Sequence, residues 1–435
     1  MLVRSQTDLD RLQEAAGEAS RHDGAIPGPG FYATKLEKTW ARARDTAAYA
    51  RLGPFSMEAF HRLPLTAKAE LRQDPWRFTR VPLERAAKYY QTTGTTDRPT
   101  PAPRTVEDIV WNAAAVSRAW AGLIGPGDRV AIAMPSDVVP VGDLIVHVCE
   151  LLGAVHTRTY PFAAGVCDWD RMLEVASVLR PTVLVVAPGV ALQLTRVLKG
   201  RGALAEAAAS VRRLLLLGEV STPALRRRLG DWWGADVYDA SYGSTETGTI
   251  AASCERGGQH PLMGSHLVEV DSGGGPVAID QARRGRLVVT PLNLYSRALL
   301  RYETGDDVVL ARDCPCGRAT PTIQVQGRAS DGLEVQGRRI TPARVEELVF
   351  NLPGITGYQI RLGGDGASLV LERDVDADRR RELETVRTVT EDSRRALGVR
   401  WADVVIVNRL PSITKSGASQ KSWKTSHVVV AGTGR

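Results

Sequence analysis

The sequence predicts an α/β fold in two parts. A large N-terminal domain, residues 1–327, holds parallel-sheet α/β subdomains and a small β-rich unit, and a small α+β C-terminal domain takes residues 328–435. Three observations predict it. Between Val106 and Tyr238, short apolar runs alternate with helix-length segments, the pattern of a mostly parallel sheet. Residues 284–312 change to closely spaced strands. From about Gly327 a fresh set of strands and helices begins.

The elements follow in order. Asp8–Ser20 is polar and helix-prone, Ser56–His61 starts another helix, and Pro64-Leu65-Thr66 ahead of Lys68 and Glu70 reads as a turn and a capped helix start. Tyr89–Thr105, rich in Thr, Gly and Pro, reads as a loop. Val106–Leu123 is helical, Arg129–Met134 (RVAIAM) a buried strand, Val141–Leu152 an apolar helix and Thr182–Ala187 a strand. Val190–Leu198 is a helix, Leu214–Leu217 a strand, Thr222–Leu229 a helix and Asp236–Tyr238 a short strand. Arg286–Thr290 and Asp307–Ala311 are strands around a turn. Leu333–Val335, Pro342–Phe350, Gly357–Arg361, Ser368–Glu372, a charged helix over Asp376–Ala396, and Asp403–Val407 make the last module.

Composition excludes several classes. At 43% hydrophobic and 24% charged residues, the chain is not mainly disordered. No uncharged apolar run reaches the roughly 18 residues that a membrane span needs. No signal peptide is readable after Met1, so a cytoplasmic protein without a membrane partner is the expectation. The net charge is +7, but the bases are spread and carry no nucleic-acid motif, so no nucleic acid is expected. Lysine is rare, with eight residues against 48 arginines, yet three lysines lie together at Lys415, Lys421 and Lys424. Five cysteines without a readable export signal argue against a disulfide framework. Cys149 and Cys167 read as small core residues.

Three motifs carry chemistry. In Tyr90–Thr100, Thr92, Thr93, Thr95 and Thr96 surround Gly94, and hydroxyls with free backbone N–H groups suit a loop around phosphate oxygens. It is not a Walker loop, because Gly-Lys-Ser/Thr is absent. Ser241-Tyr242-Gly243-Ser244-Thr245-Glu246 follows a short strand and a turn. Tyr242 offers a stacking face, Gly243 a close backbone approach, and Glu246 a hard oxygen ligand for Mg²⁺. In Tyr302-Glu303-Thr304-Gly305-Asp306, an aspartate after a Thr-Gly turn is placed to accept ribose hydroxyls. Read singly, each is also a polar connector or a turn with a solvated acid.

In this order and spacing, the motifs resemble the adenylate-forming (acyl-CoA synthetase) superfamily, and in detail its phenylacetate–CoA ligase-like branch. The resemblance spans roughly residues 60–430. It includes Leu63-Pro64-Leu65-Thr66-Ala67-Lys68 with Leu71-Arg72, Gly218-Glu219 after a strand, and Cys314-Pro315-Cys316-Gly317-Arg318 before Gly327-Arg328. It also includes Gly337, Thr341-Pro342 and Val345-Glu346. The resemblance implies ATP-dependent activation of a carboxylic acid as an acyl-adenylate, with pyrophosphate leaving, and transfer to a thiol, usually coenzyme A. The branch points to a small aromatic or heteroaromatic acid, and residues 133–165 are expected to line its pocket.

By the same resemblance, Thr92, Thr93, Gly94, Thr95 and Thr96 would hold the β and γ phosphates. Gly218, Glu219 and Tyr242, with Gly243, would frame adenine, Thr245 would touch the α-phosphate, and Glu246 would bind Mg²⁺. Asp306 and Arg328 would bind ribose. The C-terminal domain would be mobile, turning about Ala329–Asp331 between the half-reactions. A near-terminal lysine would cover the reacting oxygens. Gln420-Lys421-Ser422-Trp423-Lys424 matches the family run best, so Lys421 is the candidate, with Lys415 its rival.

The chain departs from the family pattern at Asp97, at Phe162–Val166 and at Ser330. These changes open a second reading, in which the adenylate goes to a carrier-protein thiol, an amine, or an inorganic nucleophile such as nitrite acting on an activated aromatic. A non-catalytic nucleotide binder is a third reading, against which Glu246, Asp306 and the lysine cluster count. A homodimer is left open. Finally, Cys254, His260, Cys314 and Cys316 are enough ligands for a closed, structural, tetrahedral Zn²⁺ site, against the alternative of unrelated thiols and a surface histidine.

Overall fold

The computed structural model describes residues 5–92, 99–163, 165–328, 332–364, 366–410 and 427–430. The chain forms two compact units. One comprises Met1–Asp128, Pro135–His156 and Ala240–Gln326, and the other Arg129–Met134, Thr157–Asp239 and Gly327–Arg435.

The second unit is built on the expected parallel sheet, in the order Val155–Arg158, Arg129–Ala133, Val183–Val186, Arg213–Leu216 and Asp236–Asp239. Val130 pairs with Val183, Val183 with Arg213, and Arg213 with Asp236, all in parallel. All four residues of Val183–Val186 are buried, as an inner parallel strand covered on both faces requires. The helices Pro188–Gly200 and Pro223–Trp233 make the crossovers. The same unit holds the C-terminal module, a sheet in the order Val404–Val407, Gly366–Arg373, Ile355–Gly363 and Val428–Val430. The helices Pro342–Val349 and Glu382–Leu397 accompany it.

The module docks on the crossover helices through polar contacts. The Thr222 and Ala224 amides, at the open N-terminus of Pro223–Trp233, donate to Glu346 Oε1 at 3.2 Å and Glu347 Oε2 at 2.9 Å, which suits carboxylates to a helix start. Arg228 donates to the carbonyls of Phe350 and Leu352. Lys199 pairs with Asp374 at 2.5 Å and Asp376 at 3.1 Å.

The first unit packs helices Gln6–Arg21, Pro29–Arg44 and Val106–Trp120 with an antiparallel sheet in the order Pro276–Ala278, His266–Asp271, Arg284–Pro291, Tyr302–Ala311 and Thr322–Arg328. Its core gathers Leu36, Trp40, Phe60, Phe78, Met263, Leu287 and Tyr302. The helix Pro29–Arg44 was missed by the sequence reading, although Tyr32, Leu36, Trp40 and Ala43 recur at helical spacing and are all buried.

Three expectations are corrected. Tyr89–Thr105 is not all loop, because Lys88–Gln91 and Pro101–Arg104 pair antiparallel, and burial of Tyr90, Ala102 and Pro103 outweighs the turn-like composition. The Thr-Gly-Asp segment is not a turn but lies within Tyr302–Ala311, with Gly305 taking φ 79° inside the strand. Cys167 is not a core residue. It is half-buried in a surface loop, whereas Cys149 is fully buried in Val141–Leu152 as expected.

Candidate active site

The site is built on a hairpin. Ser241–Ser244 pairs antiparallel with Gly248–Ser253, with a register shift at Tyr242/Gly243, so the Ser241–Glu246 motif is a strand as well as a turn. Gly243 is required by the hairpin itself, since a Cβ would lie 2.4 Å from the Gly248 carbonyl oxygen and 2.8 Å from Thr249 Cα. The turn Thr245-Glu246-Thr247 is gripped at three successive carbonyls. Arg104 donates to those of Thr245 and Glu246, and His266 Nε2 lies 3.2 Å from that of Thr247. The Thr247 amide donates to Ser244 Oγ at 3.2 Å, and the Thr249 amide to Asn112 Oδ1 at 3.0 Å. Hydrogen bonds from a buried guanidinium are strong, so the Thr245–Glu246 turn is fixed before any ligand arrives.

Asp306 meets this hairpin. Tyr242 donates its hydroxyl hydrogen to Asp306 Oδ2 at 2.6 Å. The strand carrying Asp306 is braced by the upstream motif, whose role the sequence did not show. The Thr66 amide donates to the Arg301 carbonyl and the Glu303 amide to that of Thr66, both at 3.0 Å. Thr66 Oγ1 donates to the Leu300 carbonyl at 2.7 Å, and Lys68 Nζ to that of Thr304 at 2.9 Å. Arg301, held at φ 48°, makes a two-pronged pair with Glu269 and also donates to the His61 and Leu63 carbonyls.

Tyr242, Gly243, Thr245, Glu246 and Asp306 thus come together in the first unit. Gly218 and Glu219 lie in the second unit, after Arg213–Leu216, with Gly218 at φ 89°. Arg328 ends the strand Thr322–Arg328. Thr92 forms the neck of the threonine loop. Its amide donates to the Thr100 carbonyl at 3.0 Å, and its hydroxyl accepts from the Thr100 amide at 2.8 Å. Below the neck, Lys88 Nζ and the Tyr90 hydroxyl both donate to Asp143 Oδ2, at 2.6 and 2.8 Å. Thr93, Gly94, Thr95, Thr96, Asp97, Ser330, Lys415, Lys421 and Lys424 lie outside the described residues. Sequence reasoning missed Arg104, Asn112 and His266. A readable signal lay beside the first, where Thr105 and Asp108 form a reciprocal capping box that starts the helix right after Arg104.

The four expected zinc ligands do converge. Their ligand atoms lie within 4.8 Å of one another. Cys254 Sγ and Cys314 Sγ are 3.7 Å apart, close to the ~3.8 Å edge of a tetrahedron with Zn–S bonds of ~2.3 Å. Cys316 Sγ is 3.2 Å from His260 Nε2. His260 Nδ1 is turned to the Thr320 carbonyl at 3.0 Å, which fixes the ring with Nε2 toward the thiols, the usual support of a metal-bound imidazole. Gly258 keeps the space open, since a Cβ would lie 2.9 Å from Cys314 Sγ. The residues fit a structural zinc ion. Mg²⁺ is held by one or two carboxylates alongside phosphates and water, and the Glu246 carboxylate, 6% exposed at the hairpin turn, is a donor of that type.

A parallel α/β sheet, a small α+β module, and a Tyr-Gly-Ser-Thr-Glu hairpin bonded to a Thr-Gly-Asp strand define an adenylate-forming enzyme. The model of the AMP-binding enzyme family matches residues 53–289, and the chain belongs to that family. It is similar to the phenylacetate-coenzyme A ligase of Thermus thermophilus, 28% identical over 75% of this chain and 74% of that one. It is likewise similar to that of Aromatoleum evansii, 27% identical over 72% and 70%. Among solved structures, a 2-hydroxyisobutyryl-CoA ligase in its postadenylation state shares the fold, with a TM-score of 0.74 and 22% identity over 97% of this chain and 88% of that one. Among the described residues, no helix is long and apolar enough to cross a membrane.

Proposed function

We propose that the protein is an ATP-dependent, AMP-forming ligase that activates a small aromatic carboxylic acid and transfers the acyl group to coenzyme A. The 2.6 Å bond from Tyr242 to Asp306, beside the clamped Thr245–Glu246 turn, carries the reading. On this scaffold Tyr242 would offer a stacking face, Asp306 a hydroxyl-accepting carboxylate and Glu246 a metal-binding carboxylate. Activation of a carboxylate at the α-phosphate is mainly positioning and charge neutralisation, which rigid donors and acids provide. Bound Mg²⁺ would supply neutralisation of the phosphates at Glu246. Asp306 would hold the ribose hydroxyls, with Tyr242 fixing its carboxylate. The relatives' names supply the phenylacetate class of acid and the coenzyme A acceptor, and the matched region contains the Tyr242 and Glu246 motif. Residues 1–327 would form the adenylation core and 328–435 the mobile module. Zinc at Cys254, His260, Cys314 and Cys316 would be structural, since four protein ligands leave no open position.

The test is pyrophosphate release with ATP, Mg²⁺ and a panel of aromatic and aliphatic acids, followed by addition of coenzyme A. An acyl-CoA product with an aromatic acid is expected. Pyrophosphate release without thioester, and product only with ammonium or nitrite, would reassign the acceptor. No release with any acid would leave nucleotide binding alone.

A further inference from the structure

The strand Lys88–Gln91, which leads into the threonine loop, pairs with Pro101–Arg104 in a sheet of two strands, from Lys88 opposite Arg104 to Gln91 opposite Pro101. Two strands alone are marginal in water, so contacts outside the ladder decide where this ribbon sits. The Pro101–Arg104 side is tied toward the Glu246 turn. Arg297 donates to the Pro101 carbonyl, and Arg104 to those of Thr245 and Glu246. The chain then enters the helix Val106–Trp120 at once, behind the Thr105–Asp108 capping box.

The Lys88–Gln91 side is tied to another element. Lys88 and Tyr90, two residues apart and so on one face of the strand, converge on a single oxygen. Lys88 Nζ lies 2.6 Å and the Tyr90 hydroxyl 2.8 Å from Asp143 Oδ2. The Gln91 amide donates to the Val138 carbonyl at 2.7 Å. Tyr90 is buried, and the Asp143 side chain is 13% exposed, so water competes little for the bond between them. Asp143 stands in the first turn of Val141–Leu152, where an open helix start favours a carboxylate. That helix packs on Val106–Trp120, the helix that follows the partner strand. Both strands of the neck are therefore fixed to one pair of packed helices, and Asp143 closes the circuit. The Lys88 ammonium offsets the carboxylate, so the anchor adds no net charge beneath a loop suited to anions.

We propose that Asp143 is a positioning residue for the triphosphate of ATP. Through Lys88 and Tyr90 it fixes the strand that ends at Thr92, and so sets where the neck presents the loop to the β and γ phosphates. The proposal rests on the adenylation reading, in which Thr92–Thr96 take those phosphates. A loop anchored before the ligand arrives loses less freedom on binding, which is how a residue that never touches ATP can act on its affinity. AMP lacks both phosphates and is indifferent to the anchor.

The experiment measures binding of ATP and of AMP to the full-length protein by calorimetry, with Mg²⁺ and no carboxylic acid. Asp143→Ala is expected to weaken ATP about tenfold, the worth of a hydrogen bond to a charged group, and to leave AMP within about twofold of wild type. Lys88→Met combined with Tyr90→Phe should give the same split. Adding Asp143→Ala to that pair should change it no further, because Asp143 acts through those two side chains. Transfer to coenzyme A from a supplied acyl-adenylate, which carries no β or γ phosphate, should keep its wild-type rate in every variant. A merely stabilising ion pair would not separate ATP from AMP. Equal weakening of the two nucleotides, unchanged ATP binding in folded Asp143→Ala, a further loss in the triple variant, or slowed transfer overturns the proposal. If Asp143→Ala does not fold, Tyr90→Phe, which deletes one hydroxyl, decides by the same comparison of ATP with AMP. Failure of the adenylation reading looks different, because the wild type itself would then show no ATP–pyrophosphate exchange with any acid, and the proposal would fall with it.

Discussion

Tyr242 and Asp306, 64 residues apart in sequence, are joined by a 2.6 Å hydrogen bond from phenol to carboxylate. The bond orients the Asp306 carboxylate, the group proposed to accept the ribose hydroxyls. Asp306→Ala should cut ATP–pyrophosphate exchange by roughly 10²–10³-fold, the range for loss of one major electrostatic contact. Tyr242→Phe keeps the ring and loses the bond. It should raise KM for ATP roughly tenfold with kcat little changed, since a bond to a charged group is worth about 1.5–3 kcal/mol. Near wild-type exchange in Asp306→Ala would refute the ribose assignment.

The cysteine and histidine cluster predicts about one zinc per chain in purified protein by elemental analysis, the stoichiometry of a closed four-ligand site. Cys316→Ser should lose the ion and melt at a lower temperature, because binding of a structural metal contributes to folding free energy. Stable, metal-free wild-type protein would refute the site.

Much of this was legible in the sequence, for physical reasons. Strands buried on both faces, such as Val183–Val186, show as unbroken apolar runs, and the helix Val141–Leu152 is apolar enough to have the boundaries read from the sequence. The Glu246 and Asp306 motifs are short and local, so their positions were readable, but the bond that joins Tyr242 to Asp306 was not. Contacts made across long separations leave no periodic trace. Arg104 under the Thr245–Glu246 turn is one example, and Lys68 on the Thr304 carbonyl is another. The strand Pro101–Arg104 was hidden by its prolines, which edge pairing tolerates and composition disfavours.

His266 predicts a pH dependence of stability. It is buried, and desolvation holds its imidazole down to about 4 from the ordinary 6.5, against the raising effect of the Thr247 and Leu262 carbonyls. Between these values the unfolded chain binds the proton and the folded protein does not, so stability rises with pH there. The contribution is complete above about pH 6.5 and is lost as pH falls toward 4, by roughly 3 kcal/mol for a shift of this size. Urea unfolding from pH 4 to 8 should show this slope. His266→Gln, which keeps an N–H donor and does not titrate, should flatten it. An unchanged slope in that variant would remove His266 as the cause.

Lys421 predicts a split between half-reactions. If it covers the carboxylate and α-phosphate oxygens only during adenylation, Lys421→Ala abolishes ATP–pyrophosphate exchange yet spares transfer from a supplied acyl-adenylate. The same split in Lys415→Ala, with Lys421→Ala normal, would move the role to Lys415. Normal adenylation in both variants would refute a lysine of this module in that role.

The contact of Lys199 with Asp374 predicts how firmly the C-terminal module is held to the helix Pro188–Gly200. The two side chains are 2.5 Å apart and only 9% and 7% exposed, with Asp376 adding a second, exposed carboxylate at 3.1 Å. The Lys199 ammonium also lies 5.0 Å from the Trp232 ring centre, which helps to hold the charge in place. Surface pairs contribute little, but removing one member of a buried pair strands the other charge and costs about 3–5 kcal/mol. Asp374→Ala should therefore destabilise the protein strongly in urea unfolding, because Asp376 is too exposed to replace it. Lys199→Met combined with Asp374→Leu should recover most of that loss, since an apolar pair of similar volume avoids the desolvation penalty. Additive losses in the double variant would show that the two residues act independently, and the ion pair would then not be what fastens the module to this helix.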